Sequence, residues 1–593
     1  MNIHSQRIGA LRSMMRDQGW DAVVIKGSDP HSSEYLAPRW QQVKWLTGFT
    51  GEAGDVVVTL DHAGLWTDTR YFIQAVRQLE GTGVELHKMR IPGAVGIPEW
   101  LAAQGGLKVA VDSLCQSVAF SEQIAASCEV IGVPDLLGPI WPDRPEIPAT
   151  PIITLGEDLA GESREARLDA LRRFLLKEGC DAILLSSLDE IAWTLNVRGS
   201  DIDYNPLVFS YLLVTMEDAF WYVLKDSEPD DETAASLIEV GADGVTVLPY
   251  SDIASALGSI PGKLFVDTST LNYYLYSIIT ESIPQESLKT GESPVPLWKA
   301  VKNATEIAGM KEAHLEDGVA MEQFLYWLEK SVAEGRSISE FDAALHLRSL
   351  RAAIPGYRGD SFETISAYGA GAALPHYVTP SENAPILEPH GLYLVDSGGQ
   401  FLFGTTDITR TVPLGPCTDL EKEDYTLVLK GHIALSMAVF PHGTAGCQID
   451  LLARDPLWKA RRNFGHGTGH GVGFYLCVHE GPHDIRQNFN PQPIVPGMIV
   501  SDEPGIYREG LHGVRHENLI LCVPDDENEF GTWYRFEPLT LCHFDISAVV
   551  KELLSPEEIA WLNAYNEHVY QTLSPRLAPE ISAWLRDKTR ELR

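Results

Sequence analysis

Residues 391–412 read GLYLVDSGGQFLFGTTDITRTV: two β-rich runs around a short glycine-containing turn, with Asp396 in the first and Asp407 in the second. The pattern predicts an antiparallel pair that sets the two carboxylates on neighbouring strands. Three more contexts follow: His470 in HGTGHGVG (466–473), Glu503 in IVSDEPG (499–505) and Glu517 in GVRHENL (513–519). Four carboxylates and one imidazole form a hard, mostly oxygen donor set that suits Mn²⁺, Co²⁺ or Zn²⁺ and excludes a thiolate zinc site. One divalent ion could not use that much negative charge. Two, about 3.5–4 Å apart with bridging carboxylates and a hydroxide held between them, could. Taken singly, an aspartate after a strand is commonly a turn former and a glycine-rich histidine loop commonly caps backbone groups. The five contexts in this order read together as a two-metal hydrolase site.

Upstream, the chain repeats itself. RIGALRSMMRDQGWDAVVIKGSD from Arg7 matches RLDALRRFLLKEGCDAILLSSLD from Arg167, a displacement of 160 residues. Each copy predicts an amphipathic helix ending near Gly19 or Gly179, then a buried strand. A tryptophan segment follows in both, VKWLTGFTG around Trp45 and IAWTLNVRG around Trp193. Six prolines between Pro134 and Pro151 exclude helix or central strand there and mark a connection; Pro284, Pro294 and Pro296 mark a second. A long helix is then predicted from VKNATEIAGMKEAHLEDGVAMEQFLYWLEKSVAEG, with Ile307, Met310, His314, Val319, Phe324 and Leu328 broadly at helical spacing. Near the end, Ser555 and Glu558 form a capping-box pattern at the start of a helix whose Trp561, Tyr565 and Tyr570 are expected to pack on the preceding domain, a dimer contact being the second reading. The expected division is 1–150, 151–298 and 299–593: two related α/β modules and a metal-bearing domain of α/β (α+β) class with a C-terminal extension.

The chain's 593 residues exceed what one core supports, which agrees with several domains. A formal net charge of −36 opposes binding to nucleic acid or an anionic membrane and mildly favours a substrate with a free cationic amine. The N-terminus lacks a basic-then-apolar leader, and no apolar stretch of about twenty residues appears, so a soluble, cytoplasmic protein is expected. Eight dispersed cysteines without a CxxC pair suggest reduced thiols.

With these residues in place, the chain resembles the aminopeptidase P family of dinuclear metallopeptidases, in its long three-domain cytosolic type. The likeness also runs through FTGEAGDVVVT (49–59), LWTDTRYFIQA (65–75), WPDRPEIP (141–148), LDEIAWTLNVRGSDI (188–202) and FEPLTL (536–541). It implies two creatinase-like modules before a "pita-bread" catalytic domain, and hydrolysis of the N-terminal Xaa-Pro bond by a metal-bridging hydroxide. The implied substrates are peptides with proline second, the implied cofactor two divalent ions, Mn²⁺ first with Zn²⁺ or Co²⁺ possible, and the implied assembly a homodimer. By the same resemblance Asp396 is a bidentate ligand of one metal, Asp407 and Glu517 bridge, and His470 and Glu503 hold the other metal, Glu503 also shuttling the proton. His376 and His479 match residues that hold the scissile carbonyl and its oxyanion, and His466, Phe362 and Tyr507 match pocket positions. Arg515, two residues before Glu517 and so on the same strand face, is expected to orient Asp396 or the leaving proton. His516 departs from the usual apolar residue and should face away from the metals, while Cys477 can face the site. The alternatives are a prolidase-type dipeptidase and a non-catalytic peptide-binding protein of the same fold; intact metal ligands weigh against the second.

Overall fold

The computed structural model describes residues 2–258, 260 and 262–593. They divide into two compact units, Met1–Val295 and Pro296–Arg593.

The first unit holds two six-stranded mixed sheets with the same strand order. In the first sheet Ala22–Ile25 pairs antiparallel with Asp55–Thr59 and parallel with Lys108–Asp112. In the second, Ala182–Leu185 pairs antiparallel with Ser210–Thr215 and parallel with Leu264–Val266. The repeat seen in the sequence is thus a repeat of topology. Each copy opens on a helix, Ile3–Gln18 or Arg164–Glu178, closed by a glycine in the left-handed region, Gly19 at φ 70° or Gly179 at φ 65°. Only a residue without Cβ adopts that cap without strain.

One contact explains why the tryptophan segments recur. The Arg7 guanidinium lies 4.6 Å from the Trp45 ring centre, and that of Arg167 lies 3.9 Å from Trp193. Each arginine also donates to the carbonyl of the same tryptophan. The cation–π contact and the hydrogen bond tie the opening helix to Gln42–Thr47 in one copy and to Leu188–Leu195 in the other.

The proline-rich connection is less of a free linker than its composition suggests. Leu136, Leu137 and Trp141 are buried in the first module's core, and Trp141 stacks on Trp45 at 4.8 Å. Between them runs one short 3₁₀ turn, Gly138–Ile140.

In the second unit a helix spans Ala304–Ala333, its start fixed by a capping box between Asn303 and Glu306. Met310, His314, Phe324 and Leu328 are buried along it, while Ile307 and Val319 are half-buried. A three-stranded antiparallel sheet, Ile365–Tyr368, Leu392–Ser397 and Ile408–Pro413, supports the first half of the site. A six-stranded sheet with Gly469–Gly471, Ile499–Asp502 and Asn518–Asn528 near its centre supports the second. The helix Pro556–Leu573 has the expected Ser555–Glu558 capping box, and Trp561, Tyr565 and Tyr570 pack in the same core as Leu392 and Tyr425.

Candidate metal centre

Asp396 sits on the strand Leu392–Ser397, and Asp407 immediately precedes Ile408–Pro413. The strands pair as expected, but their connection is longer than a plain turn. It folds into two short strands, Gly399–Phe401 and Gly404–Thr405, whose outer edge pairs with Tyr357–Asp360. The path between the aspartates is held tight at Gly398, where a Cβ would lie 2.0 Å from the Thr406 carbonyl oxygen. A side chain there would push Asp407 away from Asp396.

The other three residues come from the second sheet and its margins. His470 lies in Gly469–Gly471, Glu503 follows Ile499–Asp502, and Glu517 sits between His512–Arg515 and Asn518–Asn528. A Cβ on Gly469 would stand 1.9 Å from the Ser501 carbonyl oxygen, so the glycine lets these two strands approach. His470 Nε2 is 3.5 Å from Asp407 Oδ2 and 3.4 Å from Glu503 Oε1. Asp407, His470 and Glu517 each place one donor atom within 4.8 Å of the others.

The supporting hydrogen bonds select the donor atoms. His470 Nδ1 donates to the Gly471 carbonyl at 2.9 Å, which leaves the lone pair on Nε2 facing the carboxylates. Ser501 Oγ accepts from the His470 amide at 3.0 Å and donates to Glu503 Oε1 at 3.2 Å. Thr409 Oγ1 donates to Glu517 Oε2 at 2.6 Å. Arg515 ties the whole together: Nη2 donates to Asp396 Oδ2, Nη1 to Tyr507 Oη at 2.8 Å and Nε to Thr409 Oγ1 at 3.1 Å.

Burial makes this cluster costly unless cations enter it. Burial pushes the Glu503 carboxyl up to about 7, with Asp407 and Asp396 adding to the rise. Burial likewise raises Glu517 well above the usual range, again reinforced by Asp407, and raises Asp396. Arg515 alone cannot neutralise four carboxylates. Asp396 Oδ1 is buried and accepts no hydrogen bond among the described residues. An oxygen-rich pocket with an orphaned carboxylate oxygen and an aimed imidazole lone pair fits divalent cations.

Around the cluster, His479 meets His470 edge-on, with ring centres 4.4 Å apart. His466 Nε2 bonds the Tyr507 hydroxyl at 2.7 Å, and its Nδ1 donates to the Gly467 carbonyl at 2.7 Å. Burial lowers His466 well below its ordinary value, with Arg515, Arg454 and His376 adding to the effect, so it is neutral. Tyr507 thus joins the arginine that holds Asp396 to His466. His376 is half-buried just after the turn Gly369–Ala373. Phe362 is half-buried between Tyr357–Asp360 and Ile365–Tyr368 and stands outside this network. Its neighbour Ser361 donates to the Thr406 carbonyl beside Asp407 at 2.8 Å. Cys477 is half-buried two residues before His479. His516 points away as expected, its ring 4.4 Å from Tyr425 and 5.6 Å from Phe544.

Three supporting residues escape the sequence reading. Thr409 and Ser501 act through register, which a linear pattern does not display. Arg410, fully buried, donates to the carbonyls of Thr409, Glu517, Cys542 and His543, to Asn518 Oδ1 and to Tyr565 Oη. Its place inside TTDITRTV, a motif otherwise explained by Asp407, was the available signal.

Family models match in the same segments. Metallopeptidase family M24 covers residues 308–524, the C-terminal region of peptidase M24 covers 532–592, and creatinase/prolidase N-terminal domains cover 7–141 and 143–306. Fold and site together therefore define a metallopeptidase of the pita-bread type, preceded by two creatinase-type domains. The chain is 36% identical to a probable Xaa-Pro aminopeptidase P of Tuber melanosporum across 99% of this chain and 98% of that one. It superposes with TM-score 0.93 on the cytosolic X-prolyl aminopeptidase of Caenorhabditis elegans, described as having a di-nuclear active site, at 34% identity, covering 99% of this chain and 100% of that one. A Xaa-Pro dipeptidase of Bacillus anthracis, 26% identical with TM-score 0.51, matches over 98% of its own length but only 64% of this chain. The chain belongs to the aminopeptidase P family of M24 metallopeptidases.

Proposed function

We propose that this protein is an Xaa-Pro aminopeptidase, removing the first residue of peptides whose second is proline. The carrying observation is the convergence of buried Asp396, Asp407 and Glu517 with half-buried His470 and Glu503 in one cluster. Asp396 and Asp407 would hold one divalent cation and His470 and Glu503 a second, with Asp407 and Glu517 shared between them. Mn²⁺ is our first choice, with Zn²⁺ and Co²⁺ accepted by the same donors. When bound, the pair would supply Lewis acidity, lowering the pKa of the attacking water and offsetting charge on the tetrahedral intermediate.

The protein's own groups handle protons and position. Glu503 takes the proton of the attacking water and passes it to the leaving nitrogen. His376 and His479 donate to the oxygen of the scissile carbonyl as it gains charge. Arg515 orients Asp396 and opposes the rise that burial imposes on its carboxyl. His466, Tyr507 and Phe362 line the side that receives the proline ring. A peptide proline has no N–H to recognise, so selection rests on the shape of that pocket.

The same reading assigns residues 1–150 and 151–298 to the two N-terminal modules and 299–593 to the catalytic domain with its C-terminal extension, and makes the protein a cytoplasmic homodimer. Among the described residues no helix is long and apolar enough to cross a membrane. Incubation of cation-loaded protein with Arg-Pro-Pro and with Ala-Pro tests the activity. Free arginine from the tripeptide is expected. Cleavage of the dipeptide alone would make it a prolidase-type dipeptidase, and release from neither would make it a peptide-binding protein.

A further inference from the structure

A second cluster of metal-binding side chains lies in the first module, apart from the carboxylate cluster. His62 precedes the strand Ala63–Thr67, and Glu85 and His87 lie on the edge strand Glu85–Lys88 that pairs with it in parallel. Alternation along the edge strand puts Glu85 and His87 on one face. One donor atom from each of the three residues lies within 4.8 Å of the others. His62 Nε2 and His87 Nε2 are 3.2 Å apart, and Glu85 Oε2 is 3.9 Å from His62 Nδ1. Two imidazole nitrogens bound tetrahedrally to one zinc at about 2.0–2.1 Å would stand about 3.3 Å apart, so the pair already has the required separation.

The surroundings hold the imidazoles in place. His87 stacks on Trp66 at 3.8 Å with 7° between the planes, and His62 lies over Trp100 at 5.0 Å. Gly64, opposite Glu85 in the register, leaves the space in which the rings meet. A Cβ there would be 2.7 Å from His87 Cδ2 and 2.8 Å from His62 Nε2. Packing alone accounts for one N–H···N bond between the rings. It does not account for a carboxylate beside them and a side-chain-free position beneath them. Glu85 is exposed, which gives an ion a path from solvent.

We propose that His62, His87 and Glu85 form a binding site for one borderline divalent cation, Zn²⁺ above all, with water completing the coordination. Such an ion would clamp the edge strand Glu85–Lys88 to its neighbour. The test uses the full-length chain carrying Asp407→Asn and His470→Ala, which removes the competing cluster. Dialysed against micromolar ZnCl₂ and assayed by elemental mass spectrometry, it should retain one zinc per chain. Adding His87→Gln or Gly64→Ala should weaken zinc binding at least tenfold, with the far-UV circular dichroism unchanged. On the otherwise native chain the same two changes should leave peptidase activity intact. Equal zinc retention with and without His87→Gln would overturn the proposal. Should both additions unfold the chain, crystals of the native protein grown with zinc decide it. An anomalous peak between the two Nε2 atoms supports the site, and its absence refutes it.

Discussion

Arg515 offers the sharpest test of how the cluster works. Its side chain is 4% exposed and touches three oxygens, those of Asp396, Tyr507 and Thr409. All three bonds have the charged guanidinium as donor and are charge-assisted, of a kind that contributes about 1.5–3 kcal/mol each, the one to the Asp396 carboxylate being the strongest. Cations bound to Asp396 would replace part of that support, so the expected loss for Arg515→Gln is about 2–3 kcal/mol of transition-state stabilisation. That corresponds to about a 30- to 150-fold fall in kcat/KM. Arg515→Lys keeps the charge but replaces a three-pronged donor with a single point, and should recover only part of the loss. The assay is release of arginine from Arg-Pro-Pro at saturating Mn²⁺, with a parallel Mn²⁺ titration to separate weaker loading from slower chemistry. If Arg515→Gln stays within threefold of the native kcat/KM, the guanidinium does not organise Asp396 and the reasoning fails.

Thr409→Val keeps the β-branched shape but removes the 2.6 Å bond to Glu517. Its Mn²⁺ affinity should fall about 10- to 100-fold, with most activity restored at saturating metal; unchanged affinity in a calorimetric titration would count against it. Gly469→Ala forces apart the strands carrying His470 and Glu503, and steady-state kinetics should show a loss of about 100-fold, as an ångström of misplacement commonly gives. Between about pH 4.5 and 7 the folded, metal-free chain keeps a proton on Glu503 that the unfolded chain has lost. Its stability therefore falls as pH rises through that window, and cation binding should release more protons at pH 6 than at pH 8. Calorimetry in buffers of different ionisation enthalpy checks the sign; equal release at both values would contradict it. Arg351→Met strands buried Asp317, whose Oδ1 is 2.6 Å from Arg351 Nε, and should cost about 3–5 kcal/mol in denaturant unfolding without altering activity in the molecules that remain folded.

The five clustered residues were legible because each sits in a local motif whose glycines and strand residues have positional meaning. The duplicated modules were legible for a different reason: Arg7 and Arg167 occupy the same position in two copies, and the structure gives both the same tryptophan contact. Arg515 could be placed by strand alternation alone. Thr409 and Ser501 could not, since their partners are fixed by which strand lies opposite and in which register. The proline stretch misled in part, because proline excludes regular structure but says nothing about whether Trp141 beside it is buried. His62 and His87 lie 25 positions apart with no motif around either, and only the parallel pairing of two short strands brings them together.

Arg410 joins the backbone of Glu517 to the hydroxyl of Tyr565, nearly fifty residues further along the chain. The helix Pro556–Leu573 is therefore wired to the carboxylate cluster through the Arg410 guanidinium. A small molecule wedged beneath that helix would slacken the catalytic cradle from behind. Inhibition of this kind would persist however much peptide were added, because drug and peptide would never compete for the same space.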